Sequence, residues 1–260
     1  MLEIIKEIFR YRELLLSLTH RELKIRYKQT ILGIAWALFT PLSMMLIFTF
    51  VFNKIAKIST GEIPYPIFIY CGLLPWTFFA TSLTSATTSL VDNFNLVTKI
   101  YFPREVFPLA SILSRFVDFC LASIILIGLM LFYKIDFHLT ILFLPLILII
   151  QLLLMIGFCF LLSMGNLFYR DVKYIFEVVI ILWMFLTSVI YPINVDSPVL
   201  QKILLLNPMT PIIDSYRVVI LEGKLPDIGN LSIAIIISIS VFLIGAIWFH
   251  RSEHLFAESI

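Results

Sequence analysis

The chain reads as an all-α integral membrane protein. We expect six transmembrane helices, an N-terminal amphipathic interfacial helix, and two short re-entrant or interfacial helices between spans five and six. Three observations predict this class. Hydrophobic residues make up 60% of the 260 positions and charged ones only 14%, against roughly 45 to 50% and about 25% in soluble domains. Mean hydropathy is +1.02. Apolar runs of the ~20 residues needed to cross a ~30 Å hydrocarbon layer recur along the chain, separated by polar breaks. Gly (9), Pro (12) and Cys (3) are too few for a fibrous, disordered or disulfide-stapled chain.

Residues 1–30 form a charged, mixed segment that lacks the pattern of a cleaved secretory signal, and they are read as a unit distinct from the membrane domain at 31–260. Ile4, Ile8, Tyr11, Leu15 and Leu18 recur at helical spacing and so share one face. That face suits either the acyl boundary of the membrane, with Lys6 and Arg10 at the headgroups, or packing on the protein's own spans. Thr19 followed by Glu22 has the spacing of a capping box, predicting a second short helix through Arg21, Lys24, Arg26 and Lys28. A basic elbow would then sit beside the first span.

The predicted spans are 31–52, 67–90, 107–132, 139–166, 172–190 and 231–249. With an inside N-terminus, thirteen of the nineteen Lys and Arg fall on the cytoplasmic side, so both termini are expected there. Tyr133, Tyr169, Tyr191 and Trp248 lie at span ends, the headgroup level that amphipathic rings prefer. The second span carries a Ser/Thr-rich half (Thr77, Thr81, Ser82, Thr84, Ser85, Thr87, Thr88, Ser89) with no counterpart elsewhere, and no inverted repeat of the secondary-transporter kind is visible.

Two cytoplasmic connections follow. The longer, 91–106, has room for a short helix that could dock a soluble partner, while 168–174 holds Arg170, Asp171 and Lys173, which serve equally well as positive-inside anchors. Outside, 191–230 is punctuated by Pro192, Ser197-Pro198, Asn207-Pro208, Thr210-Pro211 and Gly223 around two apolar runs too short to cross a bilayer. Ser197 and Thr210 are N-cap candidates, each with Pro at the next position, and Gly223 can close the second helix. A pair of half-helices at about 198–222 would form either a pore mouth or a lid on the lipid surface.

The sequence offers little catalytic chemistry. His20, His138, His250 and His254 are scattered, and no zinc-type His or Cys spacing occurs. Cys71, Cys120 and Cys159 fall within apolar stretches and read as small buried hydrophobes. Gly223-Lys224 lacks the upstream Gly and following hydroxyl of a phosphate-binding loop, so work must come from another subunit or an ion gradient. Arg115 and Asp118 lie three apart on one helical face and Glu177 one turn inside the fifth span, but no chain of carboxylates crosses the midplane. A net charge of +2 without a basic run gives no reason to expect a nucleic-acid partner. Trp36, Phe39, Phe48, Phe50, Tyr174, Phe176, Trp183 and Phe185 cluster in the first and fifth spans. They suit lipid and helix contacts, or stacking on sugar rings if Trp36, Phe39, Tyr174 and Trp183 line a channel.

The run from Arg21 through Tyr27, Gly33 and Trp36 to Pro41-Leu42 resembles the membrane-approach motif of ABC-2-type permeases that export polysaccharides, the O-antigen, capsule and teichoic-acid group. So do Asn166-Leu167-Phe168-Tyr169-Arg170-Asp171-Val172, and Asn207-Pro208 followed by Tyr216-Arg217. The resemblance implies a homodimer in the bacterial cytoplasmic (inner) membrane, with two cytoplasmic ATP-binding subunits that hold the ATP and magnesium; this chain would carry no cofactor. It further implies that the Thr19 to Lys28 elbow, with Thr19 and Glu22, and the 95–104 connection, with Asn95, Lys99 and Arg104, meet the ATPase. Pro198, Asn207, Pro208, Tyr216 and Arg217 would belong to an external gate. The implied cargo is a polyprenyl-diphosphate-linked polysaccharide, whose diphosphate we expect at Arg21, Lys24, Arg26 and Lys28 by charge pairing. An exporter of small lipids or drugs, a polyprenyl-lipid transferase and a passive channel remain as other readings.

Overall fold

The computed structural model describes residues 10–57, 60–99, 102–192 and 204–252, with side chains described only to residue 96 in the second stretch. Predictions that rest on Ile4, Ile8, Ser197, Pro198 or the side chain of Lys99 therefore lie outside the described residues. Every regular element among the described residues is helical.

Helix α1 spans Arg12–Tyr27. The first membrane segment, Gly33–Ile55, begins as a 3-10 turn, continues as α2 (Trp36–Phe48) and ends in a π-helical stretch, Thr49–Ile55. Then come α3 (Tyr65–Asp92), the short α4 (Phe94–Lys99), α5 (Val106–Phe132), α6 (Leu144–Phe168, entered by a 3-10 turn at Leu139–Phe143) and α7 (Val172–Phe185). A half-helix, α8 (Met209–Arg217), runs into a π turn at Val218–Glu222, and α9 (Ile228–Ser252) closes the bundle.

Among the described residues, five helical segments are long and apolar enough to cross a membrane. They match the predicted first to fourth and sixth spans to within three residues at either end. The fifth apolar segment is different: α7 has only 14 residues, and the chain then turns through Leu186 to Ile190.

Local chemistry sets several boundaries. Pro66 and Pro145 stand in the first turns of α3 and α6, where a missing N–H costs nothing. Gly223 ends the half-helix in the left-handed conformation (φ 65°), with His138 packed so closely that a Cβ could not fit. The elbow between α1 and the first span turns through Gln29 (φ 67°) and Gly33 (φ 53°).

The central element is α3, with 78% of its apolar window buried inside the protein, far more than any other span. Around it a main core gathers Leu73, Phe79, Leu154, Met155 and Ile213. A smaller core at the α1 end of the bundle joins Leu18, Leu90, Phe107, Phe160, Met164 and Phe249. Tyr11 and Leu15 pack against that second core and Leu18 lies in it, so this part of the predicted apolar stripe faces the protein's own spans.

Helices α6 and α9 approach closely through two glycines. A Cβ on Gly245 would lie 2.4 Å from the Gly157 carbonyl oxygen, and one on Gly157 would lie 2.6 Å from the Phe242 amide nitrogen. Small residues at such a crossing let two membrane helices gain dispersion contact where lipid supplies no hydrophobic drive. The outward faces of α2, α5 and α7 expose Phe39, Ile47, Ile124, Leu131, Ile175 and Leu182, a surface suited to hydrocarbon.

Candidate functional site

Two polar clusters occupy opposite ends of the bundle. The first joins α1 to α5 and to the end of α3. Arg26 donates through Nη1 to Asp118 Oδ2 (2.5 Å) and through Nη2 to Ser114 Oγ (3.1 Å), and the Tyr27 hydroxyl donates to Asp118 Oδ1 (2.5 Å). One turn earlier, Glu22 accepts from Ser111 Oγ and Ser114 Oγ, both at 2.9 Å. Arg21 donates to Asn93 Oδ1, while Asn93 Nδ2 holds the Ser89 carbonyl at 2.8 Å. Burial, then the bond to Asp118, raises the pKa of the Tyr27 phenol, so it remains a donor at neutral pH.

This cluster corrects the predicted capping box. Thr19 lies inside one continuous helix and donates back to the Leu15 carbonyl at 2.8 Å, and Glu22 turns sideways to the two serines of α5. Helical spacing puts Glu22 and Arg26 on the same face as Leu15 and Leu18, and that face meets α5; the partner offers better bonds than a helix start would. Of the four basic residues of the elbow, Arg21 and Arg26 are engaged with Asn93 and Asp118, whereas Lys24 and Lys28 are exposed. Asn95 is exposed on α4, two residues after the Asn93 that Arg21 binds, and Arg104 is half-buried two residues before α5.

The second cluster is built on α8. Arg217 donates to the carbonyls of Ser188 (2.5 Å), Val189 (2.6 Å) and Phe68 (3.3 Å), lies over the Phe68 ring at 3.8 Å, and pairs with Asp214 at 3.4 Å. Gly72 makes room for it, since a Cβ there would strike Arg217 Nη2. Asn207 accepts from Trp183 Nε1 (2.9 Å) and donates to Thr187 Oγ1 (2.8 Å) and the Leu186 carbonyl (3.2 Å). Tyr65 donates to the Ile190 carbonyl at 2.9 Å. The turn that ends α7 is thereby satisfied by side chains from α3, α8 and the Asn207 just ahead of α8, as non-helical backbone away from water requires.

Here the predicted N-cap at Thr210 is corrected. Helix α8 begins at Met209, and Asn207 caps it by accepting the Met209 N–H at 3.2 Å, while the Thr210 hydroxyl is buried with no partner among the described residues. Pro208 and Tyr216 are buried beside it, so Asn207, Pro208, Tyr216 and Arg217 all come together with the end of α7.

The aromatic residues separate into two groups. Trp183 is half-buried and meets Phe79, Phe158 and Trp76 at centroid distances of 5.2 to 6.4 Å. Trp36 and Phe39 pair edge-on at 5.7 Å and are exposed on the first span, and Tyr174 is exposed on α7. Sequence reasoning missed Asn93, Ser111, Ser114, Ser188 and Asp214. Ser111 and Ser114 precede the Arg115–Asp118 pair on one face of α5, a polar stripe at helical spacing that could have been noticed. Ser188 lies in a turn and had no such signal.

Residues 13–221 match the ABC-2 type transporter family. Over the full length of both chains, the protein is 31% identical to an O-antigen export system permease protein, RfbA, of Myxococcus xanthus. It is 29% identical to a protein of the same name from Klebsiella pneumoniae, covering 95% of this chain and 94% of that one. It is also 22% identical to the polysialic acid transport protein KpsM of Escherichia coli, covering 90% and 91%. With its paired polar clusters mounted on an all-helical bundle of membrane-spanning length, the chain belongs to the ABC-2 type transporter family.

Proposed function

We propose that this chain is the transmembrane permease subunit of an ATP-driven exporter that moves a polyprenyl-diphosphate-linked, O-antigen-like polysaccharide across the cytoplasmic membrane. The observation that carries the reading is its end-to-end likeness to a permease named for O-antigen export. Two copies would form the conduit, and two separate subunits would bind ATP and magnesium on the side bearing α1 and α4.

The polar cluster at that end supports a mechanical role. A subunit pressing on α4 or α1 moves Asn93 and Arg21 together, and the Arg26–Asp118 and Glu22–serine bonds carry the displacement into α5. At the other end the side chains of Asn207 and Arg217 hold the turn after α7 closed against α3, so opening there requires those bonds to be exchanged. The work is a shift between two packings driven by differential binding of the partner, with no covalent step in this chain.

The test is replacement in a bacterium lacking its own O-antigen permease. Supplying this chain together with an ATP-binding subunit of the same exporter type should restore surface polysaccharide, and a partner unable to hydrolyse ATP should not. Restored drug efflux without surface glycan would instead favour the small-molecule reading.

A further inference from the structure

A cavity of about 380 Å³ opens toward the end of the bundle away from α1, between α3, α5, the start of α6 and the half-helix α8 with its π turn. Its walls are almost wholly apolar, with Leu74 from α3, Leu126 and Met130 from α5, Leu148 from α6 and Ile220 from the π turn. Volume and lining both suit a small apolar ligand fixed by few polar contacts. The mouth faces outward. Ile127 (48% exposed) and Phe137 (55% exposed) border the cavity, and Ile124 and Leu131 continue the exposed face of α5 at helical spacing. That face is suited to hydrocarbon, so the cavity is continuous with lipid rather than with water.

One group inside does not match its surroundings. Tyr216 of α8 is only 4% exposed, and its hydroxyl is buried with no hydrogen-bond partner among the described residues. It lies within electrostatic reach of the Cys71 thiol, which lines the same cavity. The other lining hydroxyl, Ser123, is satisfied by the Phe119 carbonyl at 2.8 Å. A buried phenol left unpaired is costly, and an acceptor carried on an otherwise apolar molecule relieves it. Depth and charge narrow the choice. Cys71 lies six residues into α3, about 9 Å along its axis, and Met130 two residues from the end of α5. The phenol is therefore shallow in the leaflet opposite α1, the level at which phospholipid ester carbonyls head their chains. No Asp, Glu, Lys, Arg or His lines the cavity among the described residues, so a free carboxylate would find no counter-charge, while a neutral ester needs none.

We propose that this cavity takes one acyl chain of a phospholipid from the leaflet opposite α1, with the ester carbonyl of that chain accepting from the Tyr216 hydroxyl. Tyr216 and Ile220 belong to the half-helix and its π turn, whereas the facing walls belong to three spans, so the occupant ties the one to the others. A ligand that fits this packing better than an opened one shifts the population toward it. The site requires only that the chain crosses a bilayer and does not rest on the exporter reading.

The full chain in dodecyl maltoside would be titrated with a phosphatidylglycerol carrying a diazirine on one acyl chain, and with its diether analogue, which keeps the chains and headgroup but lacks the carbonyls. Mass spectrometry locates the labelled peptides. Saturable labelling in α5 and α8 is expected, with the ester lipid bound about fivefold tighter than the diether, as one neutral hydrogen bond provides. Tyr216→Phe removes only the unpaired oxygen and should erase that difference. Ser123→Trp fills the cavity and should abolish saturable labelling there, while labelling of the exposed face of α7 stays as it was. Equal binding of the two lipids by the unsubstituted protein, or an ester preference that survives Tyr216→Phe, overturns the proposal even if Ser123→Trp does not fold. Labelling of α5 and α8 that persists in a folded Ser123→Trp variant overturns it too, as does oleate displacing the phospholipid at lower concentration than unlabelled phosphatidylglycerol. The surface-glycan assay keeps the claims apart. Restored glycan without saturable labelling removes the lipid site and leaves the exporter, and Tyr216-dependent labelling without restored glycan does the reverse.

Discussion

Arg217 shows how one side chain can hold a fold that backbone bonds alone leave open. It supplies donors to three carbonyls drawn from two separate segments, α3 and the turn after α7. Arg217→Met keeps most of the volume but strands those acceptors, and the loss should be on the order of 3 kcal/mol or more, given about 1 to 3 for each buried unsatisfied group. A lowered thermal midpoint of the purified chain would register it; an unchanged one would show that water can reach those carbonyls. Asp118→Asn is a smaller change at the other end. It weakens the bonds to Arg26 and Tyr27, and hydrogen exchange through residues 20–28 should quicken by about tenfold, the equivalent of about 1.4 kcal/mol. At this scale the sequence was partly legible. Asn207, Arg217 and the elbow arginines could be picked out by their dipeptides and charge, but the acceptors that Arg217 ties together could not, because Phe68, Ser188 and Val189 offer it only carbonyl oxygens, which every residue has.

Elements were legible where hydropathy alone decides them. The four central boundaries of α3 and α5 follow from long apolar runs closed by polar residues, and tertiary contacts had little to alter. Propensity failed where a partner helix intervened: Thr19 and Glu22 have cap spacing, yet α5 offers Glu22 two hydroxyls, and α1 runs on without a break. Packing between helices was invisible, because a glycine in an apolar run gives no hint of what approaches it. Gly245 and Gly128 make the contrast testable. Nothing lies within 4 Å of a Cβ built on Gly128, whereas one on Gly245 collides with the Gly157 carbonyl. Gly245→Val should destabilise by about 1 to 3 kcal/mol through overpacking. Gly128→Ala should be neutral or stabilise by about 0.5 to 1 kcal/mol through helix propensity. Paired melting curves in one detergent would read both, and equal midpoints for the two variants would contradict the close crossing.

For the molecule as a whole, the two polar clusters give it a direction. If the α1 end is cytoplasmic, Lys28→Cys should react with a membrane-impermeant maleimide only after permeabilisation, and Lys224→Cys in intact cells, in a background with Cys71, Cys120 and Cys159 replaced. The reverse pattern would invert the bundle and place the ATPase-facing surface outside. Helix α7 carries a separate consequence. At 14 residues it reaches only about 21 Å, some two thirds of a ~30 Å hydrocarbon layer. The rest of that depth is taken up by the Leu186 to Ile190 turn and the amide, guanidinium and hydroxyl groups clasped around it. Along this edge the oily part of the wall is thinner than the membrane it sits in, so a hydrated chain passing beside it would leave hydrocarbon behind about one helical turn and a half before reaching the far surface.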